Sequence, residues 1–152
     1  MLVEDIMTTD IVAVLPEDTV EKCASILMER NFSGLPVVDE EGYLLGIVTE
    51  GDLIRRASQI KGPPALALLG GFIYLDNPKK FIEEIKRAMG EYAGDLMIKK
   101  VITIGPQDSI ETAATLMVEN RINRIPVVDR TGKLIGIISR RDIMNSLYLK
   151  DS

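Results

Sequence analysis

The 152-residue sequence contains no histidine. That absence removes Ser/His and Cys/His catalysis, histidine-ligated metal centres and the commonest general base. Only carboxylate or lysine chemistry would remain to a catalyst, so no catalytic residue is assigned and no enzyme is expected. A single cysteine, Cys23, allows neither a disulfide framework nor a thiolate zinc site, and no metal is assigned. No apolar run reaches the roughly 18 residues needed to span a bilayer. The longest, Ala65 to Leu75, holds Gly70 and Gly71 and reads as buried. Acidic Glu4 and Asp5 stand where a signal peptide needs basic residues, so a cytoplasmic protein with no membrane partner is expected. Basic charge is also not in excess. A net charge of −5 argues against binding along nucleic acid, although Lys99, Lys100, Arg121 and Arg124 form a local basic cluster.

What is present is a repeat, and repeats are sought first because they decide the fold. Asp5, Met7, Pro16, Asp18, Glu21, Ala24, Glu29, Pro36, Val37, Val38, Asp39, Gly42, Leu44, Gly46, Ile47 and Asp52 all recur 90 residues later without a gap. Cys23 corresponds to Ala113, so it reads as a small buried residue and not as a nucleophile. The chain divides into a first repeat over residues 1–56, a linking segment over 57–92 and a second repeat over 93–152.

Each repeat changes period in the same order. Ile11 to Val14, and Val101 to Ile104, are short apolar runs that read as strands. Asp18 and Asp108, three residues before Glu21 and Glu111, resemble a capping box. Val20, Ala24, Leu27 and Met28, like Ile110, Ala114 and Met117, follow at helical spacing. Leu35 to Asp39 and Leu44 to Val48 predict a hairpin turning at Gly42, and Thr49 caps a last helix through Asp52. The expected unit is β-α-β-β-α, a fold of the α/β type in the α+β sense. One such unit cannot bury both faces of its sheet. Two copies packed with pseudo-two-fold symmetry would share a core and open clefts at their strand ends, where small ligands usually sit. In the linking segment Lys61-Gly62-Pro63-Pro64 breaks the helix. A new helix is expected from Pro78, with Phe81, Ile82, Ile85 and Met89 on one face for packing or docking.

The chemistry is expected in Gly46-Ile47-Val48-Thr49-Glu50-Gly51-Asp52 and Gly136-Ile137-Ile138-Ser139-Arg140-Arg141-Asp142. A hydroxyl with a carboxylate three residues on is also what any helix cap needs. Three features favour a ligand. Glycine permits close approach to the backbone, the helix N-terminus attracts a phosphate, and a nearby carboxylate suits ribose hydroxyls. Ile11, Val12, Leu35 and Pro36, or Val101, Ile102, Ile125 and Pro126, could supply an apolar slot for adenine.

The runs Asp5-Ile6-Met7-Thr8, Leu35-Pro36-Val37-Val38-Asp39 and Gly46-Ile47-Val48-Thr49 with Asp52 resemble the motifs of the CBS domain, and all recur in the second copy. The pair is similar to a stand-alone Bateman module, and the resemblance covers about two thirds of the chain. It implies a regulatory, non-catalytic module binding an adenosine-containing ligand: AMP, ADP or ATP, S-adenosylmethionine, or a cyclic dinucleotide. No required cofactor is implied. It further implies that Asp52 and Asp142 hold ribose hydroxyls, that Thr49 and Ser139 contact ribose or phosphate, and that main chain near Ile11 and Val101 reads the adenine edge. A homodimer and a separate regulated protein partner are implied as well. The alternatives are a ligand-free dimerisation or scaffold module, and binding to nucleic acid.

The two halves differ in charge. Residues 1–56 hold four basic and twelve acidic side chains, while residues 93–152 hold nine and seven. Ser33-Gly34 in the first copy becomes Asn123-Arg124 in the second, and Glu50-Gly51 becomes Arg140-Arg141. Arg124 matches a phosphate-contacting position in kinase-associated members of that family. Guanidinium groups clamp phosphate bidentately, and a carboxylate repels it. The second-repeat site (Val101, Ile102, Asn123, Arg124, Ile125, Pro126, Ser139, Arg140, Arg141, Asp142) is therefore expected to take a phosphorylated ligand. The first (Ile11, Val12, Ser33, Gly34, Leu35, Pro36, Thr49, Asp52) is expected to take a less charged one, or none.

Overall fold

The computed structural model describes residues 1–59 and 92–149. The expectations for Ala65 to Leu75 and for the helix carrying Phe81, Ile82, Ile85 and Met89 lie outside the described residues.

The chain is a mixed α+β structure. In order it forms α1 (Val3–Ile6), α2 (Val20–Arg30), β1 (Gly34–Val38), β2 (Leu44–Thr49) and α3 (Glu50–Gln59). There follow α4 (Ala93–Leu96), α5 (Ile110–Asn120), β3 (Arg124–Val128), β4 (Leu134–Ser139) and α6 (Arg140–Tyr148). The strands form two separate hairpin sheets, β1 with β2 and β3 with β4. The β3–β4 ladder is antiparallel, pairing Arg124 with Ser139, Ile125 with Ile138 and Pro126 with Ile137.

The short runs expected as opening strands make only single parallel bridges, Val14 to Val37 and Ile104 to Val127. The reason is chemical. Val14 and Ile104 donate their N–H groups to the carbonyls of Pro36 and Pro126 at 3.0 and 3.1 Å, but a proline has no N–H to donate in return. A ladder cannot extend through it.

The helix caps fall one residue beyond the expected aspartates. Thr19 and Ser109 are the N-caps of α2 and α5, accepting the N–H groups of Lys22 and Thr112, each at 3.1 Å. Asp18 and Asp108 instead close the preceding turn, accepting from Leu15 N–H and Gly105 N–H at 2.8 Å. Both helices end on a left-handed residue, Asn31 or Arg121. In α2 the apolar stripe runs through the buried Cys23 and Leu27, whereas Met28, expected on that face, is 83% exposed.

Contacts divide the chain into two compact units that do not coincide with the repeats. A second-repeat unit comprises Met1–Ala13, Val38–Gly46 and Lys99–Ser152, and a first-repeat unit comprises Val14–Val37 and Ile47–Ile98. Each takes in the opening segment of the other repeat. In the second-repeat unit, Val3 and Glu4 donate N–H groups to Asp108 and Pro106 carbonyls at 2.8 and 2.9 Å. Thr8 and Ile137 exchange both backbone hydrogen bonds at 2.8 and 2.9 Å. In the first-repeat unit, Ala93 and Gly94 donate to Asp18 and Pro16, and Ile47 exchanges bonds with Ile98.

The core of the second-repeat unit is Val3, Ile104, Ala113, Met117, Ile125, Val127, Ile138 and Ile143. In the first-repeat unit Val14, Cys23, Leu27, Leu35, Val37, Val48 and Ala93 are buried. Burying each large aliphatic side chain contributes about 1.5–3 kcal/mol, against the entropy of ordering the chain. Gly136 is needed by this packing. A Cβ there would lie 2.6 Å from Met7 Sδ and 3.2 Å from the Thr8 carbonyl oxygen.

Candidate functional site

In the second-repeat unit, β4 runs straight into α6. Ser139 ends the strand and caps the helix with extended backbone angles, φ −111° and ψ 162°. Its Oγ accepts the Asp142 N–H at 3.1 Å, and its own N–H donates to Asp142 Oδ2 at 2.8 Å. This reciprocal box follows from a hydroxyl and a carboxylate three residues apart. It also fixes the half-buried Asp142 carboxylate in the first turn of α6, at the positive end of the helix.

Arg124 stands opposite Ser139 in the ladder. Burial lowers its pKa, the Asp142 carboxylate pulls it upward, and the neighbouring positive charge of Arg141 lowers it further. Two guanidiniums and one carboxylate thus interact at a helix N-terminus, an arrangement able to hold a hydroxyl-bearing sugar and an anion together. Val101 and Ile102, in the same unit, are half-buried and offer apolar surface. Ile125 and Pro126 are buried in β3, Ile125 as part of the core, and hold Arg124 in register.

The Asn123 carbonyl accepts the Arg140 N–H at 2.8 Å. Both residues also line a groove of about 400 Å³ between α5 and α6, with Arg121, Met117, Val118 and Met144. The expected second-repeat residues therefore divide between a helix-terminus cluster and a helix–helix groove. Periodicity alone did not reveal the groove, because it assigns a helix one apolar face and these residues flank that face.

The first-repeat unit repeats the box and then changes its occupancy. Thr49 N–H donates to Asp52 Oδ2 at 3.0 Å, Thr49 Oγ donates to the same oxygen at 2.7 Å, and Asp52 N–H donates to Thr49 Oγ at 3.2 Å. Arg55 forms an ion pair with Asp52 Oδ1. Both carboxylate oxygens are thus engaged by the helix's own residues, whereas the second repeat has Asn145 in place of Arg55. The sequence reading overlooked Arg55, although its spacing of three from Asp52 is the signal for such a pair.

Ser33, Gly34, Leu35 and Pro36 lie in this unit with Thr49 and Asp52, while Ile11 and Val12 belong to the other unit. A Cβ on Gly34 would make ordinary contacts, 3.5 Å from Ile47 Cδ1 and from the Val48 carbonyl oxygen. Packing at that point does not demand glycine, and the first repeat carries no side chain where the second carries Arg124.

Among the described residues, no group of three or more Cys, Asp or Glu side chains could hold a metal ion. No helix among them is long and apolar enough to cross a membrane.

Comparison with known proteins places these features in a family. The model of the CBS domain matches residues 3–59 and 93–149. The chain is 34% identical over 154 residues to uncharacterized protein MJ1426 of Methanocaldococcus jannaschii, covering 97% of this chain and 91% of the relative. Other curated relatives are longer, and the chain spans 22% to 62% of their length. Among solved structures, CBSX2 of Arabidopsis thaliana in complex with AMP superposes with a TM-score of 0.77 at 27% identity, covering 99% of this chain and 98% of that one. The CBS domain pair of protein MJ0100, in complex with 5′-methylthioadenosine and S-adenosyl-L-methionine, gives 0.71 at 25% identity, covering 96% and 98%.

Proposed function

The chain belongs to the CBS domain family, with both repeats matched, and from that premise we propose that it is a non-catalytic regulatory module that binds an AMP-like nucleotide at its second repeat. The observation that carries this reading is the pairing of Arg124 with Ser139, beside the boxed Asp142 and beside Arg141. In this reading the Asp142 carboxylate accepts hydrogen bonds from ribose hydroxyls. Arg124 and Arg141 hold the phosphate near the positive end of α6, with the Ser139 hydroxyl at the junction. Main chain at Val101 reads the adenine edge and Ile102 covers a face of the ring.

Charge favours a nucleotide over S-adenosylmethionine. The two guanidiniums attract a phosphate and repel a sulfonium cation. CBSX2, the AMP complex, is similar over nearly the whole chain, which supports the same choice. At the first repeat the Arg55–Asp52 pair and Glu50 work against a phosphorylated ligand. We place the sensor in the cytoplasm, where the single thiol stays reduced. Its output passes to a regulated protein through a change in shape or assembly.

Isothermal titration calorimetry with AMP, adenosine and S-adenosylmethionine tests the proposal. AMP is expected to bind at least about tenfold tighter than adenosine, the equivalent of about 1.4 kcal/mol for the phosphate contacts. Adenosine binding as tightly as AMP, or no heat with any of the three, overturns it.

A further inference from the structure

The two capping boxes are alike, but the residues around them exchange places. In the first repeat Gly51 precedes Asp52 and Arg55 follows it by three. In the second, Arg141 precedes Asp142 and Asn145 follows it by three. Arg55 Nη2 pairs with Asp52 Oδ1, while Thr49 donates its N–H and its hydroxyl to Oδ2. The Asp52 side chain is only 9% exposed, beneath a guanidinium whose own side chain is 66% exposed. Gly51 belongs to this arrangement. A Cβ there would touch Arg55 Nη1 at 3.4 Å, so the guanidinium folds back over the first turn of α3 where no side chain stands.

An ionised carboxylate accepts about four hydrogen bonds. Asp52 already accepts at least three, so a vicinal diol, which donates two, must displace a donor. The Thr49 N–H is fixed by the backbone, and its hydroxyl also caps α3 by accepting the Asp52 N–H at 3.2 Å. Arg55 is the donor that leaves at least cost. An ion pair with one exposed member is weak and is screened by salt. It competes with a ligand and does not shut the ligand out. The surrounding charge then selects the competitor. Glu50 is exposed at the start of α3, and Ser33 and Gly34 supply no cation where Asn123 and Arg124 stand in the second repeat, so a phosphate is disfavoured.

Resting on the reading of the boxed carboxylates as sugar-binding groups, we propose that Arg55 is a displaceable internal competitor for Asp52, and that the ligand it competes with is an uncharged nucleoside. The two repeats then respond to salt in opposite directions. A phosphate held by guanidiniums binds more weakly as salt rises. A neutral nucleoside has no charge to screen, but salt loosens the Arg55–Asp52 pair, so its affinity at the first repeat increases.

The test is calorimetric titration of adenosine into the full chain carrying Asp142→Ala, which removes the second-repeat carboxylate, with and without Arg55→Asn. Asp142→Asn takes the place of Asp142→Ala if circular dichroism shows the latter unfolded. Arg55→Asn is expected to tighten adenosine binding by about fivefold. Between about 50 mM and about 500 mM salt, adenosine affinity is expected to rise about threefold with Arg55 in place and to stay level with Asn there. Adding Asp52→Ala removes both effects. AMP is titrated in parallel into the unsubstituted protein. No AMP binding there overturns the nucleotide reading of the second repeat. AMP binding there, with adenosine affinity indifferent to Arg55 and to salt or with no adenosine binding to the Arg55→Asn chain, overturns the competitor proposal alone.

Discussion

Arg124 stands across the β3–β4 ladder from Ser139, the residue whose hydroxyl caps α6 and whose N–H holds Asp142. A backbone register thereby places a cation at the helix end where the Asp142 carboxylate is fixed. Replacing Arg124 with Gln keeps hydrogen-bonding capacity and removes the charge. AMP affinity is expected to fall by about 10- to 100-fold, with adenosine affinity changed less than about threefold. Calorimetry with both ligands checks this, and an equal loss for the two would assign Arg124 to packing.

The asymmetry between the repeats is transplantable. Gly34 has room for a side chain, and Arg55 occupies the Asp52 carboxylate. Gly34→Arg, Glu50→Arg, Gly51→Arg and Arg55→Asn together write the second-repeat residues into the first. A second AMP-binding event in a titration is the expected result.

Gly136→Ala should destabilise the protein by about 1–3 kcal/mol, because the new Cβ meets Met7 Sδ and the Thr8 carbonyl. Met7→Ala in the same chain relieves the sulfur contact and should recover part of the loss. Urea denaturation of the two single variants and the double one measures the coupling.

Loss of a helix cap has a separate, smaller signature. Thr19→Ala and Ser109→Ala should each cost about 1 kcal/mol and leave ligand binding intact. Ser139→Ala should cost a similar amount and also weaken AMP binding, because the same hydroxyl positions Asp142.

Stability should depend on pH at both ends. For Asp18, burial alone would raise the pKa, but the Leu15 N–H, the Lys22 hydrogen bond and the Lys22 charge together hold it below the ordinary value. Asp129 is lowered chiefly by the hydrogen bond from the Thr131 hydroxyl. Both contributions are present in full above the unfolded aspartate value of about 3.9 and are lost as pH falls below it through the lower folded values. Cys23 moves the other way, pushed up by burial and by the Asp18 charge from 9.0 to about 11. The protonated thiol's contribution is present below pH 9.0 and lost as pH climbs toward 11. Thermal melts across pH check both ends, and iodoacetamide should modify Cys23 readily only after unfolding.

Much of this fold was legible because local chemistry and long-range packing agree. The hairpins turn where Gly42 and Gly132 take φ of 92° and 97°, and the boxes at Thr49 and Ser139 need only residues three apart. The opening strands were over-read because the partner residues that stop them, Pro36 and Pro126, lie far along the chain. Caps slipped by one residue because Asp18 and Thr19 are both able to cap. Met28 was placed inside since helical spacing does not distinguish the centre of an apolar stripe from its edge. That Val3 to Thr8 joins the second-repeat unit depends on backbone bonds to Pro106, Asp108 and Ile137, which no local pattern encodes. The Ser139–Asp142 capping box was legible from a hydroxyl and a carboxylate three residues apart. That Arg140 also lines the α5–α6 groove was not readable, because the groove is formed by residues on two helices far apart in sequence.

The central claim is that the two repeats are unequal, with the phosphate-bearing ligand at Asp142. Calorimetric titration of AMP into Asp142→Ala and Asp52→Ala tests it most directly. The account predicts that Asp142→Ala abolishes the main binding event and that Asp52→Ala leaves it within about twofold of wild type. Loss of the event in Asp52→Ala with its retention in Asp142→Ala would contradict it.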